Sequence, residues 1–408
     1  MIIHSIIVKY FPHQLKSPLF ITQSVKLSYL FTLLILFALQ NAYCQEIEKP
    51  ETPDSTHKAV TLEKPKLTPI IAPVASPEVD LMLLLGGLFT FKVNILDPFL
   101  QRSSIPFSIG YSTNGSFNSN FRPYIYGKND NLRLFGDIWL KDMPDNYWGV
   151  GYENGKNVPK SDSTTAYKRN WWQVYLNIIR KIKPNLFVGI NLDLNKTKAS
   201  ELNTRMKEDP LIINQGTNFR NSGIGFIIQY DSRDLSVNAY SGLYLSLTAS
   251  IYRKFLNGNT NYDVYFLDYR QYKSIKKPGR TLAWSVKSRI ATSGVPWTEM
   301  SMVGTPFDLR GYIWGRYRDK AMISGIIEYR HMFIRKNPDK NGNMMSRHGF
   351  ITWIGGGGVS PSIRVKQNWL PNIGVGYRFE VQKRMNARVD FGLGEDSFGI
   401  YVSFNEAF

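Results

Sequence analysis

The sequence predicts an all-β fold, a transmembrane antiparallel β-barrel of about 16 strands. Between residues 81 and 408, apolar and polar side chains alternate along runs of about ten residues, the length of a membrane-crossing strand. The apolar faces carry aromatic residues near the strand ends, and the opposite faces collect charged residues. That pattern is typical of lipid outside and a polar lumen inside. A soluble sandwich, the alternative, would have shorter strands with the apolar side inward.

The first 44 residues are predicted to form a signal peptide. Three lysines and no acidic residue precede the apolar run Leu30–Leu39, which is too short to span a bilayer as a helix. Cleavage is expected between Cys44 and Gln45. Cys44 could also be a lipidation site, but the bulky Tyr43 before it favours a chain without lipid. Cleavage reduces the formal net charge from +18 to +15 and removes the only cysteine, as suits a disulfide-free protein of a Gram-negative envelope.

Residues 45–80 are predicted to form a Pro-rich periplasmic linker. Their prolines are mixed with Lys, Glu, Thr and Ser, a composition that cannot bury a core. The barrel is expected to occupy residues 81–408.

The strand pattern is clearest in the second half of the chain. Alternation is regular in Leu243–Ile251, Leu282–Ile290, Ile373–Val381 and Ala387–Leu393. At the end of the chain, Phe404 and Phe408 share the phase of Phe398, Ile400 and Val402. They are therefore predicted to be the terminal signal of an outward-facing last strand.

The inward phase of these strands predicts a positive lumen. Charged residues can remain hydrated there, whereas a Lys or Arg facing lipid at mid-bilayer costs roughly 2–4 kcal/mol. The predicted lumen charges are Lys287, Arg289, Arg330, Arg378, Glu380, Arg388 and Asp390, and Glu328 shares the face of Arg330.

The residues do not predict an enzyme, a cofactor or a metal site. After cleavage three histidines remain, and no two of them have metal-ligand spacing. His331 shares the outward phase of Tyr329 and Phe333, which favours an aromatic girdle over a catalytic site. The run "WIGGGGVSP" lacks the Lys-Ser/Thr and the helix of a phosphate-binding loop, so its glycines are interpreted as sites of close packing or bending. An outer-membrane hydrolase is the weakest hypothesis.

One basic, aromatic loop stands out. The segment "GTPFDLRGYIWGRYRDK", Gly304–Lys320, shows neither strand alternation nor a helical stripe. Such a loop could hold phosphate, coat a nucleic acid or plug a cavity. The lipid-facing strands favour the cavity and exclude nucleic acid as a partner.

Five segments in order carry a family resemblance: "GIGFIIQYDSRD", "SGLYLSLTASIYRKF", "TNYDVYFLDYRQY", "PWTEMSMVGTPFDLRGY" and "GIIEYRHMF". The series resembles the BamA/TamA family of outer-membrane barrels, the bacterial surface antigen superfamily. The resemblance is good from residue 223 to 408 and weaker from 81 to 221, where "YWGVGYENG" looks like variants from Bacteroidetes-type bacteria. Members of the family use periplasmic POTRA domains to receive clients. Residues 45–80 are too few for one, so the resemblance is to a POTRA-less member.

The resemblance implies that the extracellular loop folds inward. The Arg310-Gly311-Tyr312 tip would then meet carboxylates on the lumen wall, and Glu328 is the first of them. An arginine out of bulk water needs such a partner. Glycines occupy the strand on which the family's second carboxylate lies, and Asp390 is a possible substitute. In the alternative, Arg310 lies on an exposed loop and contacts lipopolysaccharide phosphate.

The resemblance also implies a function at the bacterial outer membrane. The protein would assist insertion or translocation of polypeptides through a seam between its first and last strands, where an exposed edge pairs with an incoming strand. Gly86 and Gly87 near the start, with Gly399 and Asn405 at the end, would soften that seam. The expected partners are outer-membrane lipid, lipopolysaccharide and nascent or exported polypeptides. The alternative is a passive pore or small-solute transporter with a static loop plug.

Overall fold

The computed structural model describes residues 64–76, 80–161, 163–275, 279–338, 344–395 and 397–408. The predicted signal peptide and residues 45–63 of the predicted linker lie outside these ranges.

Antiparallel strands make up most of the described chain, and most strands pair with the next strand along the sequence. The strands are β1 Lys66–Ser76, β2 Asp80–Phe91, β3 Ser103–Ser112, β4 Phe117–Phe121, β5 Tyr124–Tyr126, β6 Leu132–Asn146, β7 Ala166–Lys183, β8 Leu186–Ser200, β9 Asn218–Asp231, β10 Gly242–Tyr252, β11 Tyr262–Ser274, β12 Arg280–Ala291, β13 Ser301–Met302, β14 Arg318–Asp319, β15 Ala321–Ile334, β16 Met345–Ser360, β17 Leu370–Gln382, β18 Met385–Leu393 and β19 Phe398–Phe404.

All strands except β13 and β14 belong to one 17-stranded sheet. Because β4 and β5 both lie between β3 and β6, they are two halves of one pass across the sheet. The sheet therefore makes 16 passes, and the predicted all-β barrel of about 16 strands is confirmed.

Helices are short and occur between strands. They are α1 Tyr152–Asn157, α2 Thr204–Glu208 and α3 Pro210–Gln215, with 3-10 turns at Lys128–Asp130, Lys254–Leu256 and Trp297–Glu299. Within the described ranges, no helix has the length and apolar character needed to cross a membrane.

The side chains face the two sides of the sheet as the alternation predicts. In β10 the buried inner side chains are polar or aromatic, whereas Leu247 and Ile251 on the other face are 48% and 41% exposed. The inner residues are Tyr244, Ser246, Thr248 and Ser250. Such a sheet, polar inside and apolar outside, suits a lipid surround.

The two ends of the barrel differ in their connections. Segments 147–165, 201–217 and 292–320 all leave one end, which we call the loop end. The opposite end, the turn end, has short connections such as 127–131 and 383–384.

Strand β1 corrects the predicted start of the barrel. It lies within the residues expected to be a linker, so the sheet begins at Lys66 instead of residue 81. The prolines suggested a linker, but β1 pairs with β2 alone among the described strands. An edge strand tolerates proline wherever the missing N–H would face away from its partner.

The predicted outward position of Phe408 is wrong. Strand β19 ends at Phe404, Asn405 adopts a left-handed φ of 62°, and Phe408 lies inside the barrel with 4% exposure. The cause is Glu406, which shares the phase of Phe404 and Phe408. A straight strand would turn its carboxylate toward lipid, and the observed turn buries it among polar partners instead. We call residues 405–408 the tail.

Candidate functional site: an anchored loop and an unpaired seam

Residues 304–320, the plug loop, enter the barrel through a tight turn. Asp308 Oδ1 accepts hydrogen bonds from the N–H groups of Gly304 and Thr305 at 2.9 and 2.7 Å, so the aspartate closes the turn locally. Gly304 and Gly311 have φ of 104° and 118°, a region that favours glycine.

Arg310 is fully buried at the tip of the plug loop. Its Nη2 lies 2.7 Å from Glu328 Oε2 on β15, and its Nη1 lies 2.8 Å from Asp390 Oδ2 on β18. The guanidinium also lies 3.5 Å from the ring centroid of Trp353, an arrangement that favours a cation. The alternative in which Arg310 contacts lipopolysaccharide from an exposed loop is therefore wrong.

The two carboxylates are shared with other arginines. Arg330 Nε lies 2.8 Å from Glu328, and Asp390 also binds Arg378 at 2.5 Å and Arg388 at 2.9 Å. Arg378 continues to Glu406 of the tail at 2.9 Å. Four guanidinium groups thus meet three carboxylates in the interior. Buried charges persist only when paired in this way.

The rest of the tip binds β17 and the hairpin formed by β18 and β19. Gly311 N–H donates to Tyr401 Oη at 2.9 Å, and Ser397 Oγ donates to the Gly311 carbonyl at 2.7 Å. Tyr312 Oη donates to the Pro371 carbonyl at 2.7 Å and accepts from the Glu395 N–H at 2.9 Å. The plug loop therefore holds the last strand from inside the barrel.

Two glycines that sequence reasoning missed make room for the tip. A Cβ on Gly392 would lie 2.4 Å from the Arg310 carbonyl oxygen, and one on Gly394 would lie 2.7 Å from the Tyr312 ring. The sequence signal was a glycine at an inward position of β18. By contrast, the run Gly355–Gly358 approaches neighbouring strand backbones, such as the Gly325 carbonyl at 2.4 Å from a Cβ on Gly355.

A second anchor of the plug loop lies on β6 and β7. Trp314 stacks on Trp171 with centroids 5.7 Å apart, and Trp171 stacks on Trp139 at 6.0 Å. Lys141 lies 5.4 Å and Arg169 5.8 Å from the Trp314 ring. These cation–π and stacking contacts attach the loop to a second part of the barrel wall.

The remaining predicted lumen charges have separate partners. Lys287 Nζ donates to the Phe307 carbonyl at 2.7 Å, and Arg289 Nη1 donates to the Glu299 carbonyl at 2.8 Å, so both hold the loop segment. Glu380 accepts from the Arg384 N–H at 3.0 Å in the β17–β18 turn, and among the described residues it has no hydrogen bond to the Arg310 network.

Glu299 is a titratable group of the loop end whose pKa is shifted into the physiological range. Its pKa is raised to about 7, chiefly by burial and also by the nearby Asp193 carboxylate, while Arg169 and Arg289 oppose the shift. Within the described residues, no cluster of three or more His, Cys, Asp or Glu could hold a metal ion.

The seam is the boundary between β1 and β19. Among the described residues, no ladder joins these strands, because β1 pairs with β2 and β19 with β18. The outward side chains of β19, Phe398, Ile400 and Val402, are 66–69% exposed, compared with 55% for Ile373 inside the sheet. Gly86 and Gly87, expected at the seam, lie in β2 instead, where they approach the backbones of β3 and β1.

Near the turn end, side chains bridge β1 and β2 to β17. Gln382 Nε2 donates to Thr68 Oγ1 at 2.9 Å, and Gln382 Oε1 accepts from Thr90 Oγ1 at 2.7 Å. We call these three side chains the clasp. It joins the two ends of the sheet without a ladder.

The tail narrows the turn end of the lumen. Asn386 Nδ2 donates to Glu406 at 2.7 Å, Arg330 Nη2 donates to the Phe408 main-chain oxygen at 2.7 Å, and the Phe408 and Tyr272 rings lie 6.5 Å apart. A cavity of about 330 Å³ lies between plug loop and tail, with Phe307 on one side and Phe408 on the other.

Comparison with known proteins decides the family. The model of the Omp85 superfamily domain matches residues 100–350. The chain belongs to the Omp85 superfamily. This supports the family resemblance drawn from the five segments.

Two solved structures are among those that match the chain. BamA from Haemophilus ducreyi lacking POTRA domains 1–3 has a TM-score of 0.52 at 12% identity, over 84% of this chain and 70% of that one. CdiB from Acinetobacter baumannii has a TM-score of 0.47 at 13% identity, over 84% of this chain and 59% of that one. No curated protein matches the chain.

Proposed function

We propose that this Omp85 barrel assists the insertion or translocation of polypeptides at the bacterial outer membrane. The observation that carries the proposal is the seam, where the edges of the 11-residue β1 and the seven-residue β19 lie without a ladder among the described residues. Unpaired backbone groups are costly in lipid, and another extended chain can satisfy them.

The outward surface suits outer-membrane lipid as a partner. His331 stacks on Phe350 with centroids 5.2 Å apart and contacts Phe333 at 5.6 Å, near the turn end of β15 and β16. Aromatic clusters at strand ends are typical of a membrane interface. We infer from this girdle and the family that the turn end faces the periplasm and the loop end faces the cell exterior. We also infer that a cleaved signal peptide directs export.

Cross-linking in cells tests the proposal. A photo-reactive phenylalanine analogue replaces Val402, which is 69% exposed on β19, and the control places it at Ile327, which is 53% exposed on β15. We expect polypeptide adducts at position 402 and few at 327. Equal labelling at both positions, or ion conductance without any polypeptide adduct, would instead support a passive pore.

A further inference from the structure

Strand β1 has prolines at two positions of its free edge. The β1–β2 ladder runs unbroken from Lys66↔Thr90 to Ser76↔Asp80. In an antiparallel ladder, the N–H and C=O groups of every second residue face the partner. Proline has no N–H, so an unbroken ladder through Pro69 and Pro73 requires that the even-numbered residues bond to β2. The main-chain groups of the odd-numbered residues, which include both prolines, therefore point toward the seam.

This edge is a poor template for another strand. Of the odd-numbered residues 67–75, two are proline and supply no donor. A strand added to β1 would have two carbonyl oxygens opposite the prolines and without a partner. In the hydrocarbon layer each unsatisfied group costs several kcal/mol.

The free edge of β19 has the opposite character. Phe398–Phe404 contains no proline, so every second residue offers both a donor and an acceptor away from β18. The strand is also fixed from inside, because Tyr401 and Ser397 hydrogen-bond to Gly311 of the buried plug loop. An edge that is held in position and has a full set of main-chain groups is well suited to pairing.

We propose that the seam is one-sided: Pro69 and Pro73 prevent β1 from pairing with β19, and the β19 edge receives an extended polypeptide strand. Only another main chain presents alternating donors and acceptors at strand spacing, which identifies the occupant as a polypeptide. The identification of this polypeptide as a client of the barrel rests on the proposed function. The effect of the prolines on pairing between β1 and β19 does not depend on it.

Restoring the missing N–H donors of β1 tests whether the prolines prevent its pairing with β19. The double variant Pro69→Val, Pro73→Val gives β1 a complete edge, and Pro106→Val in β3 is the control for losing a proline elsewhere. Residue-level amide hydrogen exchange is measured in lipid nanodiscs. In the wild type, alternate amides of 398–404 should exchange quickly. In the double variant they should exchange at least about tenfold more slowly, and in Pro106→Val they should not change.

A peptide probe tests which edge is receptive. The probe is residues 66–76 with valine at both proline positions. Its control is the natural 66–76 sequence with Ile70→Pro and Ala72→Pro added, because a free natural peptide could still pair through its even-numbered edge. We expect the valine peptide to protect the 398–404 amides of the wild type and to have no effect on the double variant, whose edge is occupied. The control peptide, which has prolines on both edges, should protect the 398–404 amides of neither protein.

Two results would overturn the proposal. One is slow exchange of all 398–404 amides in the wild type, since the edge would already be paired. The other is protection of β1 amides, and not of β19 amides, by the valine peptide. If exchange and peptide results hold but Val402 yields no polypeptide adducts in cells, the proposed function fails and the one-sided seam stands.

Discussion

The plug-loop tip and the seam differ in how their neighbouring strands are connected. The tip contacts β15, β16, β17, β18 and β19 through side chains that bury and pair almost every polar group of Arg310-Gly311-Tyr312. The seam has no ladder in the described chain and is bridged by the three side chains of the clasp. The last strand is thus held on one side by β18 and from within by the tip, which leaves its other edge free while its position is fixed.

The largest expected effect breaks the charge network of the tip. Asp390 binds three arginines and Glu328 binds two, so Asp390→Asn leaves four guanidinium groups with two carboxylates. Removing one side of a buried pair costs about 3–5 kcal/mol. Arg310→Ala should cost less, because three guanidinium groups then face three carboxylates. The measurement is urea unfolding of the refolded barrel with protease access to residues 305–320.

The control is Asp142→Asn, whose partner Lys168 is 3.8 Å away in a pair that is more than one third exposed. Exposed pairs contribute about 0–1 kcal/mol, so this change should be nearly silent. If Arg310→Ala proved more damaging than Asp390→Asn, the arginine and not the shared carboxylate would organise the network.

A smaller loss of stability is expected when a side chain fills the space that Gly392 leaves for the tip. In Gly392→Ala the new Cβ would lie 2.4 Å from the Arg310 carbonyl oxygen, a main-chain atom that cannot move alone. Overpacking of this kind costs about 1–3 kcal/mol, and the loop should become sensitive to protease. Gly325→Ala in β15 is the matched control, since its nearest atom would be 3.9 Å away. Equal behaviour of the two variants would show that the tip does not depend on Gly392.

The sequence predicted local features well and long-range ones poorly. Alternation identified the strands and their faces, because the two-residue period of a strand is a local property. The pairing of Arg310 with Glu328 was reachable from the resemblance, and Asp390 was named as the substitute partner. Strand β1 was missed because prolines are acceptable on one edge only, and that edge is known only from the pairing. Phe408 was misplaced because one left-handed residue, Asn405, reverses the expected phase.

At the seam, the clasp should contribute less to the stability of the barrel than the charge network of the tip does. Gln382→Ala removes two hydrogen bonds, each contributing about 1 kcal/mol net. We expect faster amide exchange in β1 and no change in protease access to the plug loop. Gln173→Ala, which removes a hydrogen bond to Asp193 inside the barrel, is the control and should leave β1 exchange unchanged. Exposure of the plug loop in Gln382→Ala would mean that tip and seam are one cooperative unit.

The smallest expected effect is a pH dependence that the loop end should show and the seam should not. Glu299 lies in the loop end, and burial raises its pKa to about 7, above its ordinary value of 4.5. An acid with a raised pKa in the folded state is most stabilising when protonated, so its contribution is present below pH 4.5 and is lost as the pH rises through 7. The loss should be about 1 kcal/mol, since the loop can turn the carboxylate toward water.

Protease access to residues 292–320 should therefore increase several-fold between pH 5 and pH 8, while amide exchange at the seam, corrected for its intrinsic pH dependence, stays constant. Glu299→Gln, which cannot ionise, should keep the loop protected at pH 8, and Glu208→Gln, exposed in α2, should behave like the wild type. A loop whose protection is independent of pH in the wild type would show that Glu299 is not buried in its acid form. A parallel change at β19 would show that the loop end and the seam share one transition, because Gly311 connects the plug loop to Tyr401.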